Sequence, residues 1–99
     1  MILPDLNLLI YAHAAGSPHH AAARAWWART MNGDRPVGLP WALLTGFIRL
    51  TTHRRVLEPP LEASAAIALV ESWLAHPLTR VLTPGPRHQS LLAECLDAA

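Results

Sequence analysis

Apolar residues along this chain recur with one period in some stretches and another elsewhere, and the switches mark out its elements. Met1-Ile-Leu-Pro4 is a short apolar run closed by a proline, which reads as a buried strand ending at Pro4, since proline cannot donate to a ladder. Leu6, Leu8, Leu9, Ile10 and Ala12 continue directly into an apolar helix of about 6–14, closed by Gly16. Ser17-Pro18 then supplies an N-cap and a first-turn proline for a second helix over about 18–31. It is alanine-rich, with Ala22, Ala25, Trp26 and Arg29 at helical spacing, and Asn32-Gly33-Asp34 ends it. Residues 35–39 form a second strand, bounded by Pro36 and Pro40, which place it towards a sheet edge or limit its ladder to few bonds. A third helix over 41–52 carries Leu43, Leu44, Phe47, Ile48 and Thr51 on its inner side. Residues 53–60 are a loop, because Pro59-Pro60 forbids helix. The clearest helix is 61–76, with Ala66, Leu69, Val70, Trp73 and Leu74 on one face and Pro77 as its stop. A third strand over 79–83 leads through Pro84-Gly85-Pro86 into a last helix with Leu91, Leu92, Cys95 and Leu96 as its core face.

Strands alternating with helices imply an α/β fold with a parallel sheet, which needs cover on both faces. Three short strands and five helices give a narrow sheet, with a free ladder edge and apolar helix faces that lack neighbours. The expected domain is unfinished, and therefore oligomeric, partner-bound or prone to aggregate.

Composition adds bounds. Ninety-nine residues with 52% hydrophobic content suit one small domain with a modest core. Charged residues are only 15% and the mean hydropathy is +0.20, so some surface is expected to be covered by a partner. No apolar run reaches membrane-spanning length and the N-terminus lacks the basic start of a signal peptide, so no membrane association and a cytoplasmic location are the expectation. The single cysteine, Cys95, cannot form an internal disulfide and reads as a small buried hydrophobe. All eight basic residues are arginine, and the net charge of +1 neither demands nor excludes nucleic acid.

The chemistry concentrates on Asp5. It stands where the first strand turns into a helix, and in an open α/β sheet the crevice beyond the carboxyl ends of the strands is where ligands bind. Two readings are open at this point: a metal-binding carboxylate, or a helix cap accepting from free first-turn N–H groups. His13, His19 and His20 lack the i, i+4 pairing of a helical zinc site and read as surface or helix-start residues. Arg49, His53, Arg54 and Arg55 form a basic cluster, either a phosphate contact or a solvated helix end favoured by the helix dipole. The four tryptophans, Trp26, Trp27, Trp41 and Trp73, are either base-stacking candidates or core and interface residues; Trp26 and Trp73 lie on apolar faces, and Trp27 is the one kept as a candidate to face a partner.

The opening MILPDLNLLIYAH, then SPHHAAARAWW, GLPWALLTGFIRLTTHRRVL and the closing TPGPRHQSLLAECL together resemble a PIN-domain ribonuclease of the VapC toxin type, over essentially all 99 residues. The resemblance implies a PIN-like three-layer fold, with a short parallel sheet flanked by helices, and a single domain over 1–99 that makes up the N-terminal two-thirds of a full PIN domain and lacks its last strands. It implies Mg²⁺ or Mn²⁺ held by several acids at the strand ends, endonucleolytic cleavage of RNA, a VapB-type antitoxin that occludes the site, and a homodimer. Asp5 matches the family's first metal acid and Asn7 the small polar residue two positions on, which orients a metal-bound water. Arg49 is the arginine of the Phe-x-Arg pattern, and Arg54 and Arg55 are candidate RNA contacts. Gly46 stands where many relatives carry a second acid, and the family's later acids would lie beyond Ala99. Magnesium needs one or two carboxylates besides substrate phosphates and water. A lone Asp5 therefore leaves an alternative expectation, an impaired or inactive toxin remnant that only binds a partner protein.

Overall fold

In the computed structural model, residues 1–83 and 93–94 are described. The chain runs α1 (Leu6–Ala12), α2 (His20–Met31), β1 (Val37–Pro40), α3 (Trp41–Thr51), α4 (Ala63–Leu74) and β2 (Thr79–Leu82). The helix expected after Pro84-Gly85-Pro86, with Leu91, Leu92, Cys95 and Leu96, lies outside the described residues apart from the helical Ala93 and Glu94.

β1 and β2 pair in parallel, with Val37 opposite Thr79 and Pro40 opposite Leu82. On the other side of β1 the N-terminal segment also runs parallel, through the single bridge Ile2–Val37. The Ile2 amide donates to the Pro36 carbonyl at 2.8 Å, and the Gly38 amide to the Ile2 carbonyl at 2.8 Å. The expected first strand is thus reduced to one bridge, because Pro4 removes the next donor and α1 begins two residues later. β1 is central, not an edge; its prolines act by the other expected route, keeping the ladder short. The architecture is α/β, with each parallel ribbon except β2 followed by a pair of helices.

The buried side of the sheet is supplied by alternate residues, Val37 and Leu39, both fully buried. Leu9 and Ile10 of α1, Leu44 and Phe47 of α3, and Val70 and Trp73 of α4 close over them as one core. Phe47 and Trp73 meet edge-on with ring centroids 4.7 Å apart, and Trp27 meets Trp73 at 5.5 Å and 82°. Thr51 is fully buried in this apolar setting because its hydroxyl donates to the Phe47 carbonyl of its own helix at 2.6 Å.

Helix α2 corrects the expected face. Ala23, Trp27 and Thr30 are buried, and Ala22, Ala25 and Arg29 are exposed. Trp27 is a core residue and cannot face a partner. An alanine-rich helix offers little contrast between its sides, so its rotation is set by the surface it packs on and not by its own pattern. Its start also moves: Pro18 lies in the preceding turn, where the Ser17 hydroxyl accepts from the His19 amide at 3.1 Å. α4 starts after Leu61, whose amide donates to the Thr51 carbonyl at 2.9 Å and ties it to the end of α3.

Candidate active site

The register of the ribbons places Asp5. Ile2 bridges Val37, and the chain reaches Asp5 three residues on, just as β1 runs from Val37 to Pro40, itself paired with Leu82. These positions form the carboxyl end of the sheet, where α1 and α3 both begin. Asp5 is exposed and occupies the N-cap position of α1, with extended φ −79° and ψ 142°. Its carbonyl accepts from Leu8 and Leu9 at 3.1 and 3.3 Å, as the first turn requires. Its carboxylate makes no capping hydrogen bond. Asp5 therefore has the backbone of a cap and a side chain free for other use, which bears directly on the choice between cap and ligand.

Asn7 is exposed in the same first turn, while Leu9, Ile10 and Ala12 fix the inner face of α1 in the core. α3 packs beside α1: a side chain at buried Gly46 would put its Cβ 3.1 Å from Leu6 Cδ2. Gly46 thus lies against the residue that follows Asp5. A second acid from α3 would project into this region, and here there is none. Among the described residues, no three His, Cys, Asp or Glu side chains come together as a metal-holding group.

Arg49, Arg54 and Arg55 are all exposed. Arg49 lies in the last turn of α3, and the loop beyond forms an open cleft of about 620 Å³ lined by Thr52, His53, Arg54, Arg55 and Pro60. This basic cleft is not at Asp5. Eleven residues of α3, roughly 16 Å of helix, separate it from the carboxyl end of the sheet. Arg54 and Arg55 are therefore too distant to touch the same phosphate as Asp5.

The histidines are engaged locally. His13 Nδ1–H donates to the Leu9 carbonyl at 2.8 Å, and the ring packs against Phe47 and Trp73 at 5.4 and 5.7 Å. His20 Nδ1–H likewise donates to the Tyr11 carbonyl at 2.9 Å, and His19 stands 5.0 Å from the Tyr11 ring. The tryptophan that the pattern passes over in favour of Trp27 is Trp41. It is the first residue of α3, directly after Pro40, and is 49% exposed. Its position at a helix start beyond a strand was the available signal.

No helix among the described residues is long and apolar enough to cross a membrane. No family model matches the chain. Individual relatives do. The chain is 47% identical over 97 residues to Ribonuclease VapC33 of Mycobacterium tuberculosis, an alignment covering 98% of this chain and 68% of that protein. It is 39% identical over 99 residues to Ribonuclease VapC25 of the same species, covering all of this chain and 70% of that one. The VapC ribonuclease Mb2897 of Mycobacterium bovis is 43% identical over 88 residues, covering 89% of this chain and 60% of that protein. With identities of this size across nearly its whole length, joined to an α/β fold whose parallel ribbons present Asp5 at their carboxyl end, the chain belongs to the VapC family of PIN-domain ribonucleases.

Proposed function

We propose that this protein is the ribonuclease toxin of a toxin–antitoxin pair, hydrolysing RNA phosphodiesters with Asp5 as the carboxylate that anchors a Mg²⁺ or Mn²⁺ ion. The observation that carries this reading is the uncapped carboxylate of Asp5 at the carboxyl end of the parallel ribbons. The donors on offer are oxygens, the Asp5 carboxylate with the Asn7 side chain in the same turn, which fit a hard cation that keeps most of its water. Such an ion, when bound, polarises the scissile phosphate and raises the acidity of a bound water. The chain's own part is positional. Asp5 supplies negative charge, Asn7 a hydrogen-bonding group to orient water, and the first turn of α1 a set of backbone N–H groups at the same end. Arg49 serves as an auxiliary cation along α3. The single carboxylate here favours weak metal affinity, with the rest of the coordination left to water and the RNA phosphates.

A VapB-type antitoxin and a second copy of the chain are the proposed protein partners. Support comes from apolar side chains left outside, with Met1 at 59%, Leu3 at 64% and Val81 at 38% exposure on or beside the sheet. A second reading, a non-catalytic remnant that only binds a partner, is favoured by Gly46 standing where a second acid would stand.

Cleavage of labelled RNA with Mn²⁺ or Mg²⁺ decides between them. The nuclease reading expects activity that vanishes in EDTA and falls in Asp5→Asn by more than the roughly 10–100-fold that losing a mere outer-shell partner of a metal ligand costs. Cleavage that persists in chelator, or that is indifferent to Asp5, overturns it. Absence of cleavage together with retained antitoxin binding establishes the remnant.

A further inference from the structure

We propose that the exposed stripe of α3, from Trp41 through Thr45 to Arg49, together with Arg54 and Arg55 beyond it, is a track for single-stranded RNA leading away from Asp5. The proposal rests on the ribonuclease reading and adds to it the residues that hold the strand beside the reacting phosphate.

The track is built by helical spacing. Trp41, Thr45 and Arg49 follow at intervals of four, within about 80° of one another around the axis, and all three are exposed. The opposite side of α3 is the core side, with Leu43, Leu44 and Phe47 buried. Along the exposed stripe the character changes in order. At the carboxyl end of the sheet stands the indole of Trp41, half exposed although Trp27 and Trp73 are buried and Trp26 partly so. One turn on is the Thr45 hydroxyl, which donates back to the Trp41 carbonyl at 3.0 Å and so lies flat on the helix, offering no obstruction. Then come Arg49 and the cleft that carries Arg54 and Arg55.

Charge and geometry select the occupant. Residues 41–57 contain three arginines and one histidine and no acid, so the whole length is cationic in a protein whose net charge is only +1. An exposed aromatic face at one end and guanidinium groups along the rest is what a base and its following phosphates require. Stacking on an aromatic ring tolerates any base, and arginines track the backbone. A duplex would keep its bases from the indole. Trp41 opens α3 just as Asp5 caps α1, and both helices begin at the carboxyl end of the parallel ribbons, so a base on Trp41 belongs to the strand entering at that end.

The test is binding without cleavage. Anisotropy of a fluorescein-labelled single-stranded RNA octamer is followed in EDTA at low salt, using the full chain. Trp41→Ala is expected to weaken binding about five- to a hundredfold, and Trp41→Phe to restore most of it, since the phenyl ring still stacks. Replacing Arg54 and Arg55 by Ala should weaken binding and flatten its salt dependence by roughly 0.7 in the log–log slope for each phosphate left without its arginine. Arg24→Ala, which removes an exposed arginine from α2 and off the track, should change affinity less than either. The proposal is overturned if the octamer does not bind, if Trp41→Ala binds like the parent, or if Arg24→Ala matches the arginine pair. A duplex that binds as tightly as the single strand also overturns it. Metal-dependent cleavage that needs Asp5, alongside an indifferent Trp41, would sink the track and leave the ribonuclease reading standing. Binding through Trp41 without cleavage would do the reverse.

Discussion

At the residue scale, one acid carries the chemistry and one aromatic cluster carries the fold. A side chain that caps a helix contributes about 1 kcal/mol, forfeited on substitution by Ala. Asp5 makes no such bond, so Asp5→Ala measured by thermal or urea unfolding in EDTA should cost less than about 0.5 kcal/mol, a surface-substitution value. A full capping loss would show that the carboxylate serves the helix instead of a ligand. Phe47 is fully buried between His13 and Trp73. Phe47→Ala should remove roughly 3–5 kcal/mol, a large share of the roughly 5–15 kcal/mol available to a domain; unchanged cooperative melting would contradict the core as described. His13 contributes its ring to the same cluster and its Nδ1–H to Leu9. That role was not legible in the histidine spacing, because a histidine half-buried by its neighbours looks the same in sequence as one held for metal.

At the level of elements, contrast decides what can be read. α3 and α4 each carry a continuous apolar stripe, and their buried faces fall where the periodicity puts them, with only Trp41 and Ile67 as large apolar residues on their outer sides. α2 is alanine-rich, and its rotation was fixed only when Trp27 found Trp73. The pairing of α1 with α3 bears on the metal. Because Gly46 abuts Leu6, a glutamate there would extend from α3 towards the start of α1. Gly46→Glu is expected to tighten Mn²⁺ binding relative to the parent, followed by calorimetry, since a second carboxylate moves the donor set closer to what a divalent ion needs. The Cβ approach to the flexible tip of Leu6 is tight, so some stability is given up, and the helix propensity gained over glycine, about 1 kcal/mol, offsets part of it. Affinity equal to the parent would place Asp5 and Gly46 in different sites.

At the scale of the whole molecule, the uneven cover of the sheet matters most. Among the described residues its helices cover the side bearing Val37 and Leu39, while Leu3 and Leu82 lie over Gly38 on the other, with Leu3 64% exposed. Parallel sheets are ordinarily covered on both faces, and each ~100 Å² of apolar surface left in water forgoes roughly 2.5 kcal/mol. The chain alone is therefore expected to associate at micromolar concentration, seen as a rise in scattered light that Leu3→Ser or Leu82→Thr reduces. A monodisperse monomer with cooperative melting would overturn this expectation. The sequence by itself determined the kinds and order of the elements, since period, proline and glycine act within a few residues. It also brought out Asp5, because an acid between an apolar strand and an apolar helix stands apart from its surroundings, and the family, because the motifs lie in series. Tertiary structure alone decided that β1 is central, that Trp27 is buried while Trp41 is exposed, that the Asp5 carboxylate leaves its helix uncapped, and that Arg54 and Arg55 lie a helix length away. Each of these depends on which surfaces meet, and contacts between segments distant in sequence leave no periodic trace in the segments themselves.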